Sequence, residues 1–335
     1  MRYIKRLGFA AILAAVVVAS LSGAPRAQYD YYLTGNAGDA SGVTQFGLGL
    51  MGGGTDVDAL FTWMGDRAGG GDFVVIRASG ADGYNQYVYD LAPFDSVETL
   101  VLKNRAASSD EFVLGKIRNA EALFIAGGDQ SNYVNQWKGT PLEDEIHNLV
   151  LKGAPIGGTS AGTAILSEFV YSAQNKSVTS VEALANPFSR NITLERDFLI
   201  LPHMDGIITD QHLIERDRLG RTLTFMARIV SDGWATESKA IAIDRETAVL
   251  VDADGQATIV ANADHPTPFA YFIRGGTPQT VAAKTPVTYL NLQVQRAQPG
   301  STFNLLMWTG TGLTSYTLNV TDGAVTSTQP GGSIY

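Results

Sequence analysis

Between residues 44 and about 252, short apolar runs alternate with longer amphipathic stretches. The runs "FGLGLMGGG", "DFVVIRASG", "ALFIAGGDQ" and "GAPIGGTSAG" each read as a buried strand entering a glycine-rich turn. Helical patterns lie between them, in "DVDALFTWMGDRAG" and "PLEDEIHNLVLKG". The second places Leu142, Ile146, Leu149 and Val150 on one apolar stripe, with Pro141 suited to a first helical position and Gly153 to the stop. Strand, glycine turn and helix, repeated, predict an α/β fold with a mainly parallel sheet and helices on both faces. Ligands of such sheets gather at the carboxyl ends of the strands, and all four glycine turns lie there.

Beyond residue 261 the hydrophobic period changes to two. "PVTYLNLQVQ" carries Val287, Tyr289, Leu292 and Val294; "STFNLLMW" carries Phe303, Leu305 and Met307. "SYTLNVTDGAV" carries Tyr316, Leu318 and Val320 ahead of an Asp322–Gly323 turn. These patterns predict antiparallel strands. The expected organisation is an α/β domain over 28–262 and a small antiparallel β appendage over 263–335. The first 27 residues read as a signal peptide: Arg2, Lys5 and Arg6, an apolar stretch over 7–21, then small residues. That stretch is too short for a spanning helix, so the expectation is an exported protein, periplasmic or extracellular, without a membrane anchor.

Charge and cysteine content narrow the chemistry. The 335 residues carry a net charge of −9, with no basic stripe of the kind that nucleic acid needs. Without a signal peptide, 20 basic residues would face 33 acidic ones. The absence of cysteine removes disulfides, thiolate metal sites and a cysteine nucleophile. No cofactor motif is present, and a homodimer is left open.

The sharpest signal is "GTSAG", Gly158 to Gly162, a G-x-S-x-G between a strand and a helix. It predicts a nucleophile elbow presenting Ser160, with the alternative that the serine merely caps the helix. An oxyanion would be met by the Ala161 amide and by a second amide from "AGGDQ", at Gly128 or Asp129. Among the four histidines, His147 falls on a helix face and His265 in a loop, whereas His203 and His212 could approach the serine. His212 is the preferred base, expected at the start of a helix whose stripe is Leu219, Leu223, Met226 and Val230. Glu168 and Glu182 lie between serine and histidine, and Glu182 is the preferred acid. A metal site from His203, Asp205, Asp210 and His212 competes, but the spacing fits no established ligand pattern.

Taken together, "AGGDQ", "GGTSAG", "DQHLIERDRLGR" and "AIAIDRETA" resemble the cyanophycinase and dipeptidase E family of serine peptidases over roughly residues 44–260. The resemblance implies a fold like that of class I glutamine amidotransferases, flavodoxin-like, with a Ser–His–acid site and no metal or other cofactor. It implies Ser160 as nucleophile and His212 as base. Gln130, Asp210, Gln211, Arg216, Arg218 and Arg221 match polar residues lining the cyanophycinase pocket. The implied substrate is an aspartyl or β-aspartyl peptide, or the cyanophycin-type polymer whose cleavage releases β-Asp-Arg dipeptides. One departure stands out: relatives usually read I-D-E-x-T-A where this chain has "IDRETA", so Arg245 replaces an acid and Glu246 follows it. A secreted, non-catalytic binding protein on the same fold is the other class the pattern admits.

Overall fold

A computed structural model describes residues 26–335. All but the last two positions of the expected signal peptide lie outside the described residues. Among the described residues, no helix is long and apolar enough to cross a membrane.

The predicted strands form the centre of a ten-stranded sheet. Five run parallel, in the spatial order Ser96–Leu102, Asp72–Arg77, Ala122–Ile125, Ile156–Thr159 and Gly47–Met51. Their residues are almost all buried, as expected of strands covered on both faces. One face is sealed by the helices Asp58–Ala68 and Asn85–Leu91 through an aromatic cluster in which the Phe61 and Phe124 rings lie 5.0 Å apart. Fully burying side chains of this kind stabilises by about 1.5–3 kcal/mol each. The helix Pro141–Leu151 packs on the other face with Leu142, Ile146, Leu149 and Val150 buried, and Gly153 follows it at φ +85°.

The sequence pattern predicts one principal sheet; the described residues form two large sheets and a small two-stranded one. A six-stranded sheet runs Ala324–Ser327, Thr314–Thr321, Tyr289–Ala297, Ala270–Gly275, Ser238–Ile243, Ile207–Gln211. Ile241, Ile243 and Phe272 of this sheet join the cluster under the first sheet, while Ala240, Ala242 and Tyr271 pack with the helix Leu219–Ser231. The antiparallel strands expected after residue 263 are present but do not stand apart. Ala270–Gly275 pairs with Ser238–Ile243, and Thr302–Asn304 pairs with Gln256–Ala261, so this segment extends both sheets. Within Tyr289–Ala297 the alternation slips between Tyr289 and Leu292, where Asn291 adopts φ +61° and a bulge restores the buried face.

The turn that links the two sheets sets up the site. Ser238–Ile243 belongs to the second sheet, and Thr247–Asp252 pairs antiparallel with Gly47–Met51 in the first. The ends of Gly47–Met51, Ile156–Thr159, Ile207–Gln211 and Ser238–Ile243 therefore converge on one region.

Candidate active site

Ser160 ends the strand Ile156–Thr159 and opens the short helix Ala161–Ala164 with φ +51° and ψ −116°. A non-glycine residue held there costs about 1–3 kcal/mol, so the surroundings must enforce it. They do. A Cβ on Gly158 would meet the Gly162 carbonyl carbon at 2.8 Å, and one on Gly162 would collide with the Ile125 carbonyl oxygen. The Ser160 amide donates to Met51 O at 3.1 Å. The Thr163 hydroxyl lies 2.7 Å from both Met51 O and Gly158 O and accepts from Met51 N at 3.1 Å, tying the helix to two strands. No side-chain cap bond forms at Ser160, so its hydroxyl is not spent on the helix.

That hydroxyl meets His212. Ser160 Oγ and His212 Nε2 are 2.9 Å apart, and His212 Nδ1 lies 2.6 Å from Glu215 Oε2. His212 is not the start of a long helix. It follows the strand Ile207–Gln211 directly, at φ +52°, and the helix begins only at Leu219. Its amide donates to Gly52 O at 2.9 Å, and a Cβ on Gly53 would strike the imidazole, so glycine is required beneath the ring. Burial pulls the His212 pKa below its ordinary value; the Glu215 hydrogen bond pushes it back up, and Arg216 and Arg218 pull it down again. Burial would raise the Glu215 pKa, but the bond to His212 and the nearby Arg216 and Arg245 bring it below the usual carboxylate value.

The expected acid is elsewhere. Glu182, in the helix Ser180–Ala185, accepts from Ser189 Oγ and Asn191 Nδ2, both at 2.6 Å, and staples the following loop. The alternative, Glu168, accepts from the Gly206 amide. The sequence offers only the His-x-x-Glu spacing as a sign of Glu215, because a helix is expected from His212 onward. The other histidines are also placed. His147 Nε2 accepts from Ile200 N at 3.0 Å, His203 Nε2 lies 2.9 Å from Ala253 O, and His265 sits behind the site against Asp244. Among the described residues no cluster of histidine and carboxylate side chains could hold a metal.

Ala161 N–H, first in its helix, directly follows Ser160 with no acceptor inside the helix. Gly127 and Gly128 follow the strand Ala122–Ile125, and a Cβ on Gly127 would lie 3.6 Å from that of Ser160. Gly127, the neighbour of the expected Gly128 donor, thus lies beside Ser160.

The expected pocket residues separate into two groups. Asp210 and Arg221 form a buried bidentate pair, with Nε–Oδ2 at 2.9 Å and Nη2–Oδ1 at 2.5 Å. Thr222 Oγ1 also donates to Asp210, and Arg221 donates to Ser177 Oγ. Burial would raise the Asp210 pKa, but Arg221 outweighs it and the pKa is lowered. Both groups are 2 % exposed and fully occupied, so neither is free for a ligand, which corrects the expectation for these two. Gln211 is buried too, its amide donating to Thr209 Oγ1. Arg216, Arg218 and Gln130 remain. Gln130 is half-buried and donates to Tyr171 O at 3.3 Å. Arg216 is half-exposed, 3.8 Å from Glu215. Arg218 is half-buried and donates to Gln211 O at 2.8 Å, with no carboxylate within ion-pair distance among the described residues. Burial first, then Arg221 and Arg216 against the opposing pull of Asp210, bring its pKa down to about 10. Arg216 and Arg218 lie on a turn before the helix, not on one helical face with Arg221.

The sequence matches the model of peptidase family S51 over residues 77–259. It is 26% identical over 256 residues to a cyanophycinase of Synechococcus elongatus, covering 73% of this chain and 74% of that protein. A cyanophycinase of Trichormus variabilis is 23% identical over 212 residues, covering 63% of this chain and 66% of that one. Among solved structures, a peptidase from an acI-B1 actinobacterium has the same fold, with a TM-score of 0.53 at 15% identity, covering 79% of this chain and 98% of that one. The family match spans the elbow, the histidine turn and the strands that join them, and on it the chain belongs to peptidase family S51 and is a serine-type peptidase of the cyanophycinase and peptidase E type.

Proposed function

We propose that the protein hydrolyses aspartyl or β-aspartyl peptide bonds through an acyl-enzyme on Ser160. The observation that carries the proposal is the continuous Ser160–His212–Glu215 relay, with contacts of 2.9 and 2.6 Å. His212 Nε2 takes the Ser160 proton as Oγ attacks the scissile carbonyl. Glu215 fixes the tautomer with the proton on Nδ1 and stabilises the imidazolium that forms. The Ala161 and Gly128 amides receive the oxyanion. His212 then protonates the leaving amine, and water, deprotonated by His212, releases the acid and restores Ser160.

The substrate class follows from charge. Arg218, reinforced by Arg216, offers a guanidinium fork next to the base and suits the free carboxylate of an aspartyl residue. Relatives named cyanophycinase make the cyanophycin-type polymer the leading substrate, cut to β-Asp-Arg dipeptides. Arg245, which acts on Glu215 electrostatically, favours a second substrate: aspartyl dipeptides without a cationic side chain. The basic, apolar and small-residue order of residues 1–27 supports export.

The test is to incubate the purified protein with cyanophycin and with a panel of Asp-X and β-Asp-X dipeptides, alongside a serine-directed covalent inhibitor. The expected result is cleavage of at least one class and a single adduct on Ser160. Ser160→Ala should lose about 10⁴-fold or more in rate without a change in melting. Retention of more than a tenth of the activity would overturn the assignment.

A further inference from the structure

The acid of the relay sits on a tight turn, and something must hold that turn in place. The end of the strand Ser238–Ile243 and the residue after it supply two acceptors to three consecutive amides of the turn. Leu213 N donates to Ile243 O at 3.3 Å, while Ile214 N and Glu215 N donate to Asp244 Oδ1 at 3.0 and 3.3 Å. These amides open a single helical turn, closed by Arg216 N to His212 O and Arg218 N to Leu213 O, so they have no partners within it. A carboxylate is the natural acceptor for converging amides.

The other oxygen of the carboxylate is also held. Asp244 Oδ2 accepts from Thr267 Oγ1 at 2.8 Å and lies 3.3 Å from His265 Nε2. The Asp244 side chain is 2 % exposed. Its own backbone is locked as well: its amide donates to Phe269 O at 3.1 Å, and its carbonyl leaves no room for a Cβ on Gly52, the residue whose oxygen holds the His212 amide. The carboxylate therefore joins the acid-bearing turn to the loop carrying His265 and Thr267, without touching His212 or Ser160.

From this we infer that Asp244 is a positioning residue for the reaction: it fixes the backbone of Glu215 so that the Glu215 carboxylate meets His212 Nδ1. The inference rests on Glu215 being the acid of the relay. Asp244 acts only through Glu215, so its loss should be felt in turnover and not in substrate capture. It should also vanish once Glu215 no longer serves as an acid.

The experiment is a double-mutant cycle of Asp244→Asn with Glu215→Gln, read as kcat and KM on the best substrate of the dipeptide panel. Asp244→Asn should lower kcat about 5–10-fold with KM within about twofold, and the double variant should be no slower than Glu215→Gln alone. Thr267→Val, which removes one donor and leaves the turn's amides paired, should lower kcat about two- to threefold, as expected of a small misplacement. If Asp244→Asn fails to fold, Thr267→Val decides, and a normal kcat there overturns the assignment. A penalty from Asp244→Asn that multiplies onto that of Glu215→Gln, or one confined to KM, also overturns it while leaving the acid in place. Glu215→Gln at the wild-type rate would overturn the acid and the positioning role together.

Discussion

Replacing Glu215 with glutamine separates the relay from its competitor at Glu182. The substitution keeps size and removes charge at a contact of 2.6 Å to His212 Nδ1. A hydrogen bond to a charged group contributes about 1.5–3 kcal/mol. At about 1.4 kcal/mol per factor of ten, losing it in the transition state slows turnover by about 10–150-fold. The Glu215 side chain is 35% exposed, so water screens it and the lower part of that range applies, about 10–30-fold. The amide oxygen can still accept from Nδ1–H, so the tautomer survives and the loss stays below that of removing the group. Hydrolysis of the dipeptide panel across pH is the assay. The Glu215 hydrogen bond raises the His212 pKa, so its loss lowers it further, and the acid limb of kcat/KM should move to lower pH. Glu182→Gln, whose partners are Ser189 and Asn191, should leave kcat within about twofold of wild type. A Glu215→Gln enzyme within twofold of wild type, or a tenfold loss in Glu182→Gln, would refute the relay.

Arg218 and Arg221 should behave oppositely. Arg218→Lys should raise KM for aspartyl substrates about tenfold, the worth of one charge-assisted bond, with unchanged melting; Arg221→Lys should lower the melting temperature and leave KM alone. A raised KM only in Arg221→Lys would reverse the assignment. Asp210→Asn should cost about 3–5 kcal/mol near neutral pH because Arg221 is left buried and unpaired, as measured by denaturant unfolding. The folded pKa of Asp210 is depressed, so the pair's stabilisation is complete above its unfolded pKa of about 3.9 and is lost as pH falls through the folded value. The variant should therefore show a flatter acid limb of stability, and an unchanged limb would contradict this. Gly53→Ala, at φ +93° with the His212 ring in the way, should lose about 100-fold in kcat, and normal turnover would show that the ring is free to move.

The elbow was legible because its chemistry is local. Glycines at 158 and 162 are demanded by neighbours within a few residues or on the adjoining strand, and the serine between them has a diagnostic spacing. Most of the parallel core is legible for the same reason: four of its five strands are apolar runs before a glycine turn, whereas Ser96–Leu102 runs into Lys103 and Asn104 without one. Ile207–Gln211 gave no such sign. All five residues are buried, yet Thr209, Asp210 and Gln211 are polar, Thr209 bonded to Thr163 O, Asp210 to Arg221 and Gln211 to Thr209, so the stretch shows no strand periodicity. With a helix expected from His212 onward, the turn that carries Glu215, Arg216 and Arg218 has no signal of its own in the sequence. Asp210 and Arg221 stand at no helical spacing, and only the packing of strand against helix brings them together. The period-two pattern after residue 261 matches Tyr289–Ala297 and Thr314–Thr321, but in "STFNLLMW" the strand stops at Asn304 and Met307 is exposed, and nothing in the pattern names the edge each strand joins.

The pairing of Gly47–Met51 has a consequence for how the molecule comes to exist. This strand sits between Ile156–Thr159 and Thr247–Asp252, with Met51 opposite both Thr159 and Ala248. Gly52 and Gly53, which seat the histidine, follow it, so the hydrolytic machinery requires contacts between parts of the chain that are very far apart in sequence. Such topology has high contact order, and the entropy of closing those loops falls due before the contacts reward it. Helices and hairpins can form early, whereas Ser160 and His212 meet only when the distant strands have docked. A partly folded chain is therefore an inert one, and cleavage begins only when the whole architecture is in place.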